Sequence, residues 1–341
     1  MLLIVSGDAG ATETCGDDGR YFNSTKFEIK TKAGIVKTSI YYTTEGTLNA
    51  ERSNAILLLP GTSGDHTSSN EFIGPGNAFD PAKYFIITPD PIGGGCSVSP
   101  AATVDHEFPP YDVRDMVKTV VELVQKEFNI KQLLAVSGIS QGAFESLQLG
   151  VDMPSFAKAL ILIVPSVRCN TTCQDLVSRM EEKITADPKW QGGAYRDNPT
   201  RGLFEAGTFY YPWLYSDAYM EKAPPGKAEE LGRKWASAWD AKSLVYRYDA
   251  SKTFDIARYW GSTEGALSRV TAKVLLLRSQ SDRLLGYEGD ADPLVRGLSH
   301  VTINDIASDV GHMACCQGVG SAENKFIRAS IIAFLQDVAR P

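Results

Sequence analysis

Gly138-Ile139-Ser140-Gln141-Gly142 follows the apolar run Leu133 to Val136 and precedes a helix-like stretch from Ala143 to Leu149. A strand, a sharp turn carrying a serine between glycines, and a helix form a nucleophile elbow. The glycines let the chain bend tightly, and the turn lifts the serine hydroxyl clear of the sheet. The helix that starts there points its first amides at charge developing on a bound carbonyl. The pattern predicts acyl transfer through an ester on Ser140. The string alone is short enough to arise by chance as an ordinary glycine turn, so its surroundings decide.

Those surroundings alternate. Strand-like segments recur at Lys26 to Lys30, Val36 to Thr43, Ala55 to Leu59, Tyr84 to Thr88, Leu133 to Val136, Ala159 to Val164 and Lys273 to Arg278. Several are continuous apolar runs, as expected of strands covered on both faces. Asp112 to Phe128 and Ala322 to Val338 carry apolar residues at helical spacing between and after them. The chain is therefore read as α/β with a mainly parallel sheet flanked by helices. From about Ser166 to Thr271 the strand pattern stops and helix formers and aromatics take over. Residues 24–165 and 272–341 are expected to form one core, residues 166–271 an inserted helical cap, and residues 1–23 a loose N-terminal arm.

The chain has 341 residues, 43% hydrophobic and 22% charged, with a formal net charge of -7. That composition suits a soluble globular protein with a large core and supplies no basic field for nucleic acid. No apolar run is long enough to span a bilayer, so neither nucleic acid nor membrane is an expected partner. Met1 to Val5 is too short for a signal-peptide core. Six cysteines are spread without zinc-ligand spacing, so no metal is expected. Asn23-Ser24-Thr25 and Asn170-Thr171-Thr172 match the glycosylation sequon, a common string. Free thiols and a cytoplasmic location are the expectation.

A serine hydroxyl needs a base, and the base needs an orienting acid. In a strand–elbow–helix frame of this kind they follow in the order serine, acid, histidine. Of four histidines (His66, His106, His300, His312), His312 lies in a loop just before the last helix, whereas His300 opens a probable strand at Val301 to Ile303. His312 is the expected base. Asp282 leaves the end of the strand Lys273 to Arg278 and is the expected acid. Asp290 and Asp292 compete from an acidic loop, and Asp305 and Asp309 come close before the histidine. The loop after Leu57-Leu58-Leu59, Pro60-Gly61-Thr62-Ser63-Gly64, should supply the second oxyanion donor. The expected pair is the amides of Thr62 and Gln141.

With these residues placed, the chain resembles the homoserine O-acetyltransferase family of α/β-hydrolase-fold enzymes from about Lys26 to its C-terminus. The resemblance rests on uncommon strings in one order. They include Gly46-Thr47-Leu48-Asn49, Ile73-Gly74-Pro75-Gly76, Ile92-Gly93-Gly94-Gly95-Cys96, Asp187-Pro188-Lys189-Trp190-Gln191-Gly192-Gly193, Pro199-Thr200-Arg201-Gly202-Leu203, Ser281-Asp282 and Gly311-His312. It implies an α/β-hydrolase fold with a helical cap, Ser140, Asp282 and His312 as nucleophile, acid and base, acyl-CoA as co-substrate rather than a held cofactor, and a homodimer paired through the cap.

The departures from that family are as informative. Its members carry an arginine for the homoserine carboxylate five residues after the glycine of the Gly-Leu motif; counted from Gly202, that position is Gly207. They carry an acidic residue for the substrate amine directly after the histidine; here it is Met313. Arg168 or Arg201 would have to substitute from elsewhere. The elbow has Gln141 and Ala143 where the family usually has methionine and glycine. Near the missing arginine stands Phe209-Tyr210-Tyr211-Pro212-Trp213-Leu214-Tyr215, which either packs helices or lines an apolar pocket. Gly207, Tyr211, Trp213 and Met313 are the expected pocket residues. The substrate is thus expected to be a small-molecule ester less polar than homoserine, cleaved by hydrolysis. The alternative is acyl transfer from acyl-CoA to a different alcohol.

Overall fold

Ala55–Leu59 reads as five apolar residues, and all five are buried. Such a strand must be covered on both faces, and it is. Leu57 and Leu59 join one hydrophobic cluster, whereas Ile56 and Leu58 join another on the opposite side. This is the two-residue alternation of a pleated strand. The computed structural model describes residues 15–16, 19–31, 34–102, 108–286 and 291–340.

Eight strands form one sheet: β1 (Arg20–Thr31), β2 (Gly34–Glu45), β3 (Ala55–Leu59), β4 (Phe85–Pro89), β5 (Leu133–Ile139), β6 (Ala157–Ile163), β7 (Lys273–Ser279) and β8 (Val301–Ile306). Their order is β1-β2-β4-β3-β5-β6-β7-β8. The β1–β2 and β2–β4 pairs are antiparallel and the other pairs parallel, which makes this the α/β-hydrolase fold. Helices α1 (Val113–Glu127) and α2 (Gln141–Asp152) cover one face. Asp112 and Asp115 close a reciprocal capping box at the start of α1.

Between β6 and β7 lie α3 (Thr171–Thr185), α4 (Thr200–Tyr210), α5 (Asp217–Met220), α6 (Lys227–Ala238), α7 (Ala241–Lys252) and α8 (Thr263–Leu267). No strand interrupts them among the described residues. After β7 come α9 (Asp292–Gly297) and α10 (Ala322–Val338). Ile327, Ile331, Phe334 and Leu335 of α10 close the second face against Ile161, Leu275 and Leu277.

Two sequence expectations change. Residues 20–23, assigned to a loose arm, belong to β1. Ser24 and Thr25 beside them donate hydrogen bonds to the buried carboxylate of Glu122 on α1 (2.6–2.7 Å). Residues 1–14, 17 and 18 of that arm lie outside the described residues. The cysteines are not free thiols: Cys15–Cys96, Cys169–Cys173 and Cys315–Cys316 are disulfides. The first closes a separation of 81 residues, which no local spacing reveals. No helix among the described residues is long and apolar enough to cross a membrane.

Candidate active site

Every element of the candidate site is set by the C-terminal ends of parallel strands. Ser140 ends β5 in a conformation that L-residues rarely adopt (φ 55°, ψ -115°). The surroundings hold it there. The Ser140 amide donates to the Ile163 carbonyl of β6 (3.0 Å), and its own carbonyl accepts from Ala143 (2.9 Å) and Phe144 (3.2 Å). Gly142 has no room for a side chain, because a Cβ would collide with the Leu59 carbonyl of β3. The glycines of the elbow therefore serve close approach as much as turning.

The fold brings Ser140, His312 and Asp282 into one hydrogen-bonded row. His312 Nε2 lies 3.0 Å from Ser140 Oγ, and Nδ1 lies 2.7 Å from Asp282 Oδ2. The other Asp282 oxygen accepts from the amides of Leu284 (2.8 Å) and Leu285 (3.1 Å). Histidine and aspartate are buried, and Ser140 is half-buried at the open end of the row. Ser281 ties the acid loop to the histidine loop, donating to the Ser308 carbonyl (2.7 Å) and accepting from the Gly311 amide (3.0 Å).

The competing residues go elsewhere. Asp292 and Asp305 pair with Arg278, and Asp309 pairs with Lys222. His300 is exposed, and Asp290 and His106 lie outside the described residues. His66 bonds Asp90, whose two oxygens also take the amides of His66 and Cys96 (2.6 Å each). The ligand atoms of Asp65, His66 and Asp90 lie within 4.8 Å of one another. The Asp90 carboxylate accepts from two backbone amides and meets the His66 ring, which ties the two loops together as a clasp.

The two amides expected to hold the oxyanion lie at the elbow and in the loop packed beside it. Gln141 is the first residue of α2, where an amide has no intrahelical acceptor. Gly61, just before Thr62, packs against Ser140: a Cβ on Gly61 would lie 3.7 Å from that of Ser140. Among the described residues the Thr62 amide makes no hydrogen bond.

What sequence reasoning missed is the role of α7. Arg247 is fully buried and donates from Nη2 to the Gly61 carbonyl (3.0 Å). The Gly61–Thr62 peptide is trans and planar, so anchoring its C=O on one side aims the Thr62 N–H the opposite way. One signal was available: Gln141, a polar residue where the resembled family usually has methionine, needs a buried partner. Its Nε2 meets the Arg247 carbonyl (3.1 Å) and Ser251 Oγ (2.6 Å).

Beneath Arg247, Glu145 of α2 is fully buried and neither carboxylate oxygen has a hydrogen-bond partner. Burial pushes its carboxyl up to about 8, against the attraction of Arg247. The folded state thus holds a proton that the unfolded chain releases near the ordinary value of 4.5. The associated stability is complete below about pH 4.5 and lost as pH rises to about 8, on the order of 5 kcal/mol in all. In Glu145→Gln this slope should vanish. Melting temperatures of both proteins from pH 5 to 9 test it, and a parallel pH dependence would refute the assignment.

The four expected pocket residues divide. Tyr211 packs at a tilt against Tyr215 (centroids 4.8 Å), and the Ser216 amide beside it donates to the Val310 carbonyl (3.2 Å) next to the His312 loop. Trp213 lies under the Arg283 guanidinium (5.0 Å), which also pairs with Asp217. Met313 is half-buried against the α10 side of the core. Gly207 marks the crossing of α4 and α6. A Cβ there would meet Gly232 Cα at 3.0 Å and the Leu231 carbonyl at 3.1 Å. Any side chain at this position would press α4 and α6 apart by a few tenths of an ångström. Arg201 is exposed and pairs with Glu205, and Arg168 is exposed beside Asp255.

The family described as alpha/beta hydrolase fold matches residues 54–318. A probable esterase of Corynebacterium glutamicum is 30% identical over 309 residues, 84% of this chain and 88% of that protein. A homoserine O-acetyltransferase of Leptospira meyeri is 30% identical over 295 residues, 74% of this chain and 76% of that one. Among solved structures, an acetylester hydrolase from Corynebacterium glutamicum superposes with a TM-score of 0.85 at 24% identity, over 93% of this chain and 96% of that one. The chain therefore belongs to the α/β-hydrolase fold family, as a homoserine O-acetyltransferase-like enzyme that is an ester hydrolase or an acyltransferase.

Proposed function

We propose that the enzyme is a serine-dependent carboxylic ester hydrolase acting on small esters less polar than homoserine derivatives. Ser140 Oγ attacks the ester carbonyl while His312 Nε2 takes its proton and Asp282 steadies the imidazolium. The oxyanion is held by the amides of Thr62 and Gln141. His312 returns the proton to the leaving alcohol, then draws one from water, which releases the acid and restores Ser140. No resident cofactor or metal enters these steps.

The observation that carries the choice of substrate is the α4–α6 crossing at Gly207. It leaves no side chain to anchor a carboxylate and packs α6 closely against the position. Met313 removes the amine anchor. A desolvated carboxylate without a bidentate arginine binds poorly. Tyr211, Trp213 and Met313 are the residues proposed to face the ester. The names of the Corynebacterium relatives, an esterase and an acetylester hydrolase, agree with hydrolysis of short acyl esters.

The second reading, acyl-CoA-dependent transfer to an alcohol other than homoserine, is supported by the likeness to the Leptospira acetyltransferase. A homodimer through α3–α8 is part of either reading, and light scattering reports it. The three disulfides support an oxidising compartment as the place of work.

Intact-protein mass after mixing with acetyl-CoA, beside acetate release from a simple acetyl ester, separates the two readings. Steady Ser140-dependent acetate release without an adduct from acetyl-CoA is expected. An acetyl adduct formed from acetyl-CoA and stable in water would instead establish a transferase awaiting its alcohol. Homoserine should accelerate neither reaction.

A further inference from the structure

With Ser140 as the nucleophile, as proposed above, we infer that the hydroxyl of Thr62 is a third oxyanion donor. Ser251 and the carboxamide of Gln141 set its direction. The argument follows the protons through the row Gln141–Ser251–Thr62.

Gln141 is fully buried, and one end of its carboxamide lies 3.1 Å from the carbonyl oxygen of Arg247. A carbonyl only accepts, so the end facing it must be the nitrogen. The same Nε2 lies 2.6 Å from Ser251 Oγ, so Ser251 oxygen accepts there. Ser251 is itself buried and must pass its own proton onward. Thr62 Oγ1 lies 3.1 Å away. Thr62 oxygen accordingly accepts from Ser251, and its own proton is directed away from α7.

Among the described residues Thr62 Oγ1 has no other hydrogen-bond partner. Thr62 is half-buried in the loop that packs, through Gly61, against Ser140. Negative charge that forms on an ester carbonyl at Ser140 offers the acceptor that the hydroxyl lacks. Each donor in the row polarises the next, and an O–H bonded to a full negative charge is stronger than the same bond to a neutral carbonyl. The contribution therefore grows in the transition state, which is what raises kcat rather than lowering KM. Gln141 serves twice: its main-chain amide as a donor, its side chain as the start of the proton row.

Thr62→Val removes the hydroxyl and keeps the main-chain amide and the branched shape. With p-nitrophenyl acetate as the probe, this variant should lose about 10²-fold in kcat at nearly unchanged KM, the usual loss for one oxyanion donor. Thr62→Ser should recover most of that loss. Ser251→Ala should lose about 10-fold, and Thr62→Val combined with Ser251→Ala should be no worse than Thr62→Val alone, because the two act through one proton. A purely structural tie between the loop and α7 would instead lower the melting temperature of Thr62→Val and leave kcat intact.

Wild-type kcat in Thr62→Val overturns the inference, as does equal kcat in Thr62→Ser and Thr62→Val. Should Thr62→Val fold poorly, Thr62→Ala against Thr62→Ser at a temperature where both are folded carries the same contrast. Ser140→Ala keeps the two layers apart. Turnover that survives Ser140→Ala removes the proposed mechanism itself. An inactive Ser140→Ala beside a fully active Thr62→Val removes only the role of the hydroxyl.

Discussion

Ser140→Ala is expected to lower kcat for acetyl-ester hydrolysis by about 10⁴-fold or more, with the protein folded and its melting temperature little changed. No other nucleophile can take over, because Ser140 Oγ is the atom that His312 Nε2 reaches, at 3.0 Å. The oxyanion donors survive the substitution, so some acceleration over water remains. Asp282→Asn should cost a similar factor by a different route. An asparagine of the same shape would still bond the imidazole, but its amide nitrogen can face Nδ1 and favour the wrong tautomer. The measurement is steady-state release of p-nitrophenol or acetate, with reaction of a fluorophosphonate probe as an independent count of active Ser140. A Ser140→Ala enzyme within tenfold of wild type would remove the serine mechanism.

Arg247→Met separates activity from stability more sharply than any other single change. Arg247 is fully buried, and its Nε and Nη1 have no hydrogen-bond partner. Glu145 beside it is held protonated at neutral pH by burial, so it supplies no full counter-charge. The desolvation of the guanidinium is therefore incompletely repaid. Replacing a whole buried ion pair with apolar side chains of similar volume is often neutral or stabilising by about 1–4 kcal/mol, and with Glu145 already neutral, Arg247→Met is expected to follow that case. Activity should move the other way. Without Nη2 on the Gly61 carbonyl, the Gly61–Thr62 peptide is free to rotate and the Thr62 amide loses its aim. One misdirected oxyanion donor costs about 10²-fold in kcat. Chemical denaturation and kcat measured on the same preparation decide it. A variant that loses stability but keeps its kcat would show that Arg247 holds the core and not the loop.

The sheet was legible because burial on two faces leaves a plain mark on sequence. Ala55–Leu59 and the helix Ala322–Val338 are found where their apolar spacing puts them. The elbow was legible for a different reason. A nucleophile on a turn so tight that Gly142 touches β3 constrains several adjacent residues at once. The members of the site on α7 were not legible. Arg247 and Ser251 sit in an ordinary helix, and their relation to Gly61 and Thr62 spans 186 and 189 residues. Gly207 was read by its place in a motif as a pocket position. Whether a missing side chain leaves an open space or a closed helix crossing depends on α6, which lies outside that motif.

By itself, then, the amino-acid order determined the elements, their alternation, the parallel sheet and the residue types needed for serine chemistry. All of these are imprinted within about twenty residues by periodicity, turn chemistry and local sterics. Only the tertiary structure decided that the six cysteines pair, that Glu145 is buried without a hydrogen-bond partner, and that α7 directs the oxyanion loop. Those outcomes depend on distances between residues remote in the chain and on the exclusion of water from between them. Neither quantity is carried by local sequence.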